Sequence, residues 1–166
     1  MPERDTLKRA RRDKQEGKSP STQAGEFVRE EIHHIREGKH GARSPQQAIA
    51  IGLSKARRAG VDLPPPEPGA ASEETRISAE RAYEKGHGRA RGKRQPRVAK
   101  AVKAVLKRES RKAASPKALS KQASTAAARR TKADRSAAAK RAARTKGPAK
   151  RSAAAKKAAR TRAAKG

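Results

Sequence analysis

Large apolar residues recur at helical spacing most fully over residues 19–63 of this chain. Val28, Ile32 and Ile35 follow i, i+4, i+7 with Phe27 beside them, the stripe a helix buries on one face. Ser19-Pro20 ahead of them reads as an N-cap followed by proline in the first turn, and Gly38 as a C-terminal stop. After the loop Lys39–Arg43, Ser44-Pro45-Gln46-Gln47 repeats the start signal more strongly. Ser44 can cap, Pro45 suits the first turn, and Gln47 sits where a capping box wants Glu or Gln. Ile49, Leu53 and Ala56 line one face of this second helix and Ile51 lies near its edge. Gly60 ends it, and Pro64-Pro65-Pro66 bars any return. Gly52 costs about 1 kcal/mol of helix propensity, which fits two helices that approach closely there. The pattern predicts a helical hairpin over 19–63.

The large apolar set of that hairpin is Phe27, Val28, Ile32, Ile35, Ile49, Ile51, Leu53, Val61 and Leu63. Burying one such side chain is worth roughly 1.5–3 kcal/mol, and two short helices cannot bury them all. Units below about 40 residues usually need outside help. Two solutions stay open: a homodimer through the hairpin, giving a four-helix arrangement, or packing against the middle of the chain. Residues 1–18 read as a basic N-terminal arm. Residues 64–96 form a Pro/Gly/Arg-rich linker with a short helix over 76–85. Residues 97–114 form an amphipathic helix after Pro96, with Val98, Val102, Val105 and Leu106 as its apolar stripe. That stripe reads as a packing surface for the hairpin or a second protomer. Residues 115–166 are a basic Ala/Lys/Arg-rich repeat tail. The fold class expected is mostly α with extensive disorder: an N-terminal helical hairpin, further isolated helices, a tail that is helical or disordered, and no β-sheet.

The hairpin stretch GKSPSTQAGEFVREEIHHIREGKHGARSPQQAIAIGLSKARRAGVDLPPP resembles a domain-of-unknown-function family of small basic bacterial proteins. Its hallmark is Q-A-I-A-I-G-L-S-x-A-R-R-A-G, here Gln47 to Gly60, and members are often labelled DNA-binding. The resemblance covers roughly residues 1–66 and implies a bacterial origin. It brings no mechanism and no functional residues.

Charge changes the picture most in the last third. The 166 residues carry 45 Lys+Arg against 16 Asp+Glu, a formal charge of +29, with Phe27 and Tyr83 the only aromatics other than histidine and no cysteine. Residues 111–166 hold 19 basic side chains and one acid, Asp134. Such a composition excludes a large globular enzyme, a disulfide scaffold and a Cys-ligated zinc module. No apolar run nears the roughly 20 residues of a membrane span, and the first residues lack the apolar stretch of a secretory signal. Residues 135–146, RSAAAKRAARTK, recur as 151–162, RSAAAKKAARTR, with Gly147-Pro148 between them. Alanine, lysine and arginine favour helix, while like charges such as Lys140 and Arg144 at i, i+4 oppose it. The tail should therefore be partly helical or disordered alone and gain helix against phosphates. Each 16-residue repeat spans about 24 Å as a helix. The composition is similar to the Lys/Ala-rich tails of linker histones and bacterial histone-like proteins.

These observations nominate a phosphate-binding set: Arg129, Arg130, Lys132, Arg135, Lys140, Arg141, Arg144, Lys146, Lys150, Arg151, Lys156, Lys157, Arg160, Arg162 and Lys165, with Arg89, Arg91, Lys93 and Arg94 in the linker. The linker set faintly resembles an AT-hook, although the Arg-Gly-Arg-Pro core is missing; the plainer reading is a solvated basic linker. Lysine and arginine neutralise phosphates and release counterions, which gives affinity without sequence readout. The chain has no Asn and six scattered Gln, so bidentate reading of adenine has few candidates, and two aromatics cannot build a base-stacking platform. A helix-turn-helix regulator over 20–60 would offer Gln46, Gln47, Lys55, Arg57 and Arg58, with only the two glutamines where base-reading residues usually sit. His33, His34 and His40 lie near Glu30, Glu31 and Glu37, and zinc uses such groups; without cysteine or an H-E-x-x-H order, a solvated or DNA-facing surface is the simpler reading. No catalytic, cofactor or metal residue is nominated. The function expected is sequence-nonspecific DNA binding in a histone-like, nucleoid-associated role in the bacterial cytoplasm, with no enzymatic activity and no membrane partner. The alternative is an RNA- or ribosome-associated basic protein.

Overall fold

The chain is described here by a computed structural model, which covers residues 2–88 and 96–164; all its regular elements are helical, and no strand occurs among the described residues. They are α1 (Arg4–Gln15), α2 (Pro20–Arg36), α3 (Pro45–Arg58), α4 (Glu73–Gly86), α5 (Pro96–Arg108), a 3₁₀ turn (Arg111–Ala114), α6 (Pro116–Ala128) and α7 (Lys132–Ala163). Contacts divide the chain into two units, Met1–Gln122 and Ala123–Gly166.

In the first unit α2 and α3 form the hairpin, and their starts use the expected caps. The Ser19 hydroxyl accepts the Thr22 amide at 3.4 Å. Ser44 accepts the Gln47 amide at 3.2 Å, while the Gln47 side chain accepts the Arg43 amide at 2.7 Å. Gly52 is where the two helices meet: a Cβ there would lie 2.6 Å from Val28 Cα.

Part of the hairpin's apolar surface is covered from within the chain, mostly by small residues, while Val28, Ile49, Ile51, Leu53 and Leu63 stay half-buried. Phe27 is buried with Ala10 of α1, Ala24, Ala56 and Val61, flanked by Leu7, Leu53 and Leu63. Ile32 and Ile35 are buried with Ala42, Ala48 and the 3₁₀-turn residues Ala113 and Ala114, with Val28 and Leu119 alongside. Residues 1–18, read from sequence as a basic arm, thus supply a packed helix. Its inward face is Thr6, Ala10 and Asp13, and Asp13 is neutralised by Lys18 at 2.7 Å. On the other side α4 buries Ala79 and Ala82, and Tyr83 donates to Asp62 at 2.5 Å.

Of the two roles expected for the α5 stripe, packing on the hairpin is not what these valines do. Val98, Val102 and Val105 are 53–57% exposed, and only the C-terminal end of the helix is tied down, through the Gly41 amide to the Leu106 carbonyl at 2.8 Å. The hairpin does not bury those three valines because the 3₁₀ turn and Leu119 already occupy the place beside Ile35.

The expected extensive disorder is not met. The tail segment is helical through α6 and α7, because alanine minimises the entropy lost on helix formation and each start is capped. Ser115 accepts the Ala118 amide at 3.2 Å. Thr131 and Asp134 form a reciprocal capping box, Asp134 N to Thr131 Oγ1 at 3.1 Å and Thr131 N to Asp134 Oδ2 at 3.3 Å.

Candidate nucleic-acid interface

The interface is built on α7, a helix with no buried face. Among the nominated residues, Arg129, Arg130, Lys132, Arg135, Lys140, Arg141, Arg144, Lys150, Arg151, Lys156, Lys157, Arg160 and Arg162 are all exposed. Lys165, Arg89, Arg91, Lys93 and Arg94 lie outside the described residues, as do the hook-like stretch they belong to and the Lys146 side chain. At about 100° per residue, each repeat sends charge to opposite sides of its helix. Lys140, Arg141 and Arg144 oppose Lys132 and Arg135 in the first copy; Arg151 and Arg162 oppose Lys156, Lys157 and Arg160 in the second.

The two copies meet at Gly147, which adopts φ 65° and ψ 168° inside α7, a left-handed backbone open to glycine. Pro148 follows in the first turn of the second stretch. Arg151 donates back to the Gly147 carbonyl at 3.3 Å, so the break is held from the second copy.

Asp134, the one acid here, is engaged at the cap. Its hydrogen bonds from the Thr131 hydroxyl, at 2.7 Å, and the Thr131 amide outweigh desolvation and hold the carboxyl below its usual range, helped by the charges of Arg130 and Arg141.

The residues a helix-turn-helix reading would need are largely engaged inside the first unit. Gln47 caps α3. Lys55 reaches Glu30 at 3.3 Å and Glu31 at 2.5 Å. Arg57 is buried and donates to the Leu63 and Pro64 carbonyls, both at 3.0 Å, and burial pushes its pKa down. Arg58 bonds the Ser54 carbonyl and hydroxyl.

A second arrangement lies in the first unit, among the histidines and glutamates that the sequence reading weighed as zinc ligands and set aside for a solvated or DNA-facing surface. His33 is exposed, but His34 and His40 are mostly covered, and with buried Glu31 they bring one ligand atom each to within 4.8 Å of one another.

Residues 11–67, from within α1 to the start of the proline-rich segment, match a family of unknown function, DUF6496. No curated protein and no solved structure matches the chain. No described helix is long and apolar enough to cross a membrane.

Proposed function

We propose that this chain binds nucleic acid through the phosphate backbone, without reading sequence, and serves in a bacterial nucleoid as a histone-like, non-enzymatic protein with duplex DNA as its main partner. The observation that carries this reading is α7: twelve basic residues against one acid, the described ones exposed and directed to opposite sides of the helix, the acid engaged in its cap. Such a helix has no apolar face to explain it. As a helix it carries one positive charge per about 4 Å, against a duplex that presents one negative charge per about 1.7 Å of axis. Charge on both sides lets one helix touch two duplexes, and two linked copies raise the effective concentration of each for the other. The break at Gly147 lets the copies follow different directions along a phosphate chain. The first unit supports the reading by subtraction, because Gln47, Lys55 and Arg57 serve the fold.

The test is the salt dependence of binding to a random-sequence duplex, for the full chain and for a chain lacking residues 129–166. That cut keeps α6 whole and spares Ala113, Ala114 and Leu119 for the core. If half the basic residues of α7 meet phosphates, the slope of log affinity against log salt flattens by on the order of 5, at about 0.9 per phosphate. An unchanged slope removes α7 from the interface. Tighter binding to structured RNA than to duplex DNA at matched salt favours the RNA-associated alternative.

A further inference from the structure

We propose that Glu31, His34 and His40 form a binding site for a zinc-type divalent cation, independent of the nucleic-acid interface. The buried carboxylates Glu30 and Glu31 share the ammonium of Lys55. Lys55 holds Glu31 by Oε2, so Oε1 is the oxygen left facing outward, and 3.0 Å from it stands His40 Nε2. His40 turns its other nitrogen, Nδ1, to the Gly41 carbonyl at 3.0 Å. A carbonyl only accepts, so Nδ1 carries a proton and Nε2 is the nitrogen turned to the carboxylate oxygen. A ring proton on Nε2 answers that contact, and so does a cation bridging the two atoms.

His34 is prepared in the same way. Its Nε2 donates to Glu3 Oε1 at 2.7 Å, and its Nδ1 stands 4.0 Å from Glu30 Oε1. A carboxylate behind one imidazole and a backbone carbonyl behind the other are the outer partners that fix metal-binding histidines. The 3.0 Å between His40 Nε2 and Glu31 Oε1 is near the roughly 3.3 Å edge of a tetrahedron with 2.0–2.1 Å bonds. Two imidazoles and a carboxylate suit zinc and leave a fourth position for water or a ligand. The three residues line a cleft of about 1040 Å³, with Ile51, Val102 and Lys103 also on its wall, so an ion has a way in.

The experiment is calorimetric titration of Zn²⁺ into the untagged full chain, freed of nucleic acid by nuclease and molar salt, at pH 7.5. One ion per chain is expected. His34→Gln and His40→Gln should each weaken it by at least about 100-fold, and Glu3→Gln by about 10-fold, the cost of an outer partner. His33→Gln should change nothing. Absence of stoichiometric binding, or full affinity in His40→Gln, overturns the site. Co²⁺ on the unaltered chain gives a readout that needs no variant: visible bands of four- or five-coordinate cobalt support the site, and cobalt that stays octahedral overturns it.

Discussion

Gly52→Ala isolates the contact that sets the hairpin. The added Cβ would stand 2.6 Å from Val28 Cα and 2.9 Å from both Val28 N and Cγ2. Nonbonded carbons rest at about 3.5–4.0 Å, so the shortfall is about 1 Å. Because two of those atoms are backbone, no rotamer change relieves it, and α2 and α3 must part. A gap of that size forfeits a quarter to a half of each contact's attraction along the seam, which includes Phe27 and Ile35 on α2 and Ala48 and Ala56 on α3. Overpacking of this kind costs about 1–3 kcal/mol. Against it stands about 1 kcal/mol of helix propensity gained by replacing glycine. Gly52 has no positive φ, so alanine adds no backbone strain. The net is a destabilisation of up to about 2 kcal/mol, or up to roughly 8 °C in Tm for a unit of this size. Scanning calorimetry is the assay, because α7 contributes helical signal in the far ultraviolet whether or not the first unit is folded. Gly25→Ala is the control: it lies on the same hairpin with nothing within 4 Å of the added Cβ, and should stabilise by about 1 kcal/mol. If Gly52→Ala stabilises as much as Gly25→Ala, the close approach is not what glycine provides here.

Two further outcomes follow from the caps and the buried carboxylates. Burial pushes the Glu30 carboxyl up, but the Glu3 amide, the Thr6 hydroxyl and Lys55 together outweigh it and hold its pKa below 4.5. An acid whose pKa is lowered by folding stabilises the native state above its unfolded value and loses that contribution as pH falls through the native one. Glu30→Gln should therefore lower stability at pH 7 and flatten the loss of stability below pH 4.5 in urea titrations; parallel curves for the two proteins between pH 5 and 3 would discount the network. Thr131→Ala removes the cap of α7 at about 1 kcal/mol, so amide exchange over residues 132–138 should quicken about fivefold, and unchanged protection there would mean the capping box is not what starts the helix.

What was legible in the sequence divides by residue size. Both hairpin helices were visible because Ser-Pro caps and branched apolar residues carry strong local signals, and Gly52 announced a close approach because it is otherwise a poor helix residue. The role of α1 was invisible: its buried face is Thr6, Ala10 and Asp13, and no hydropathy pattern distinguishes those from a solvated arm. The 3₁₀ turn was hidden likewise, since Ala113 and Ala114 bury well without looking like core. Those two small elements cover part of the hairpin from within the chain, where composition alone had offered a second copy or the middle of the chain. Helix in α7 was underestimated because repulsion between its charges was weighed more heavily than thirteen alanines and a capping box. The candidate interface was readable residue by residue, whereas the Glu31–His34–His40 cluster needed the loop after α2 to fold back.

The distribution of acids separates the charge the fold uses from the charge it merely carries. In the first unit carboxylates are bound into the architecture: Glu30 and Glu31 to Lys55, Asp13 to Lys18, Glu26 to Arg9 at 2.5 Å. Removing those cations would weaken the unit. Residues 111–166 have one acid against 19 cations, so most of their charges have no carboxylate to neutralise them inside the segment. Pairs such as Lys140 and Arg144 oppose the helix by about 0.2–0.5 kcal/mol each. A segment that holds helix against its own charge, by alanine content and caps, is improved by a polyanion that cancels the repulsion. Helicity and phosphate binding are then linked functions, each raising the other, as any ligand that favours the folded form must.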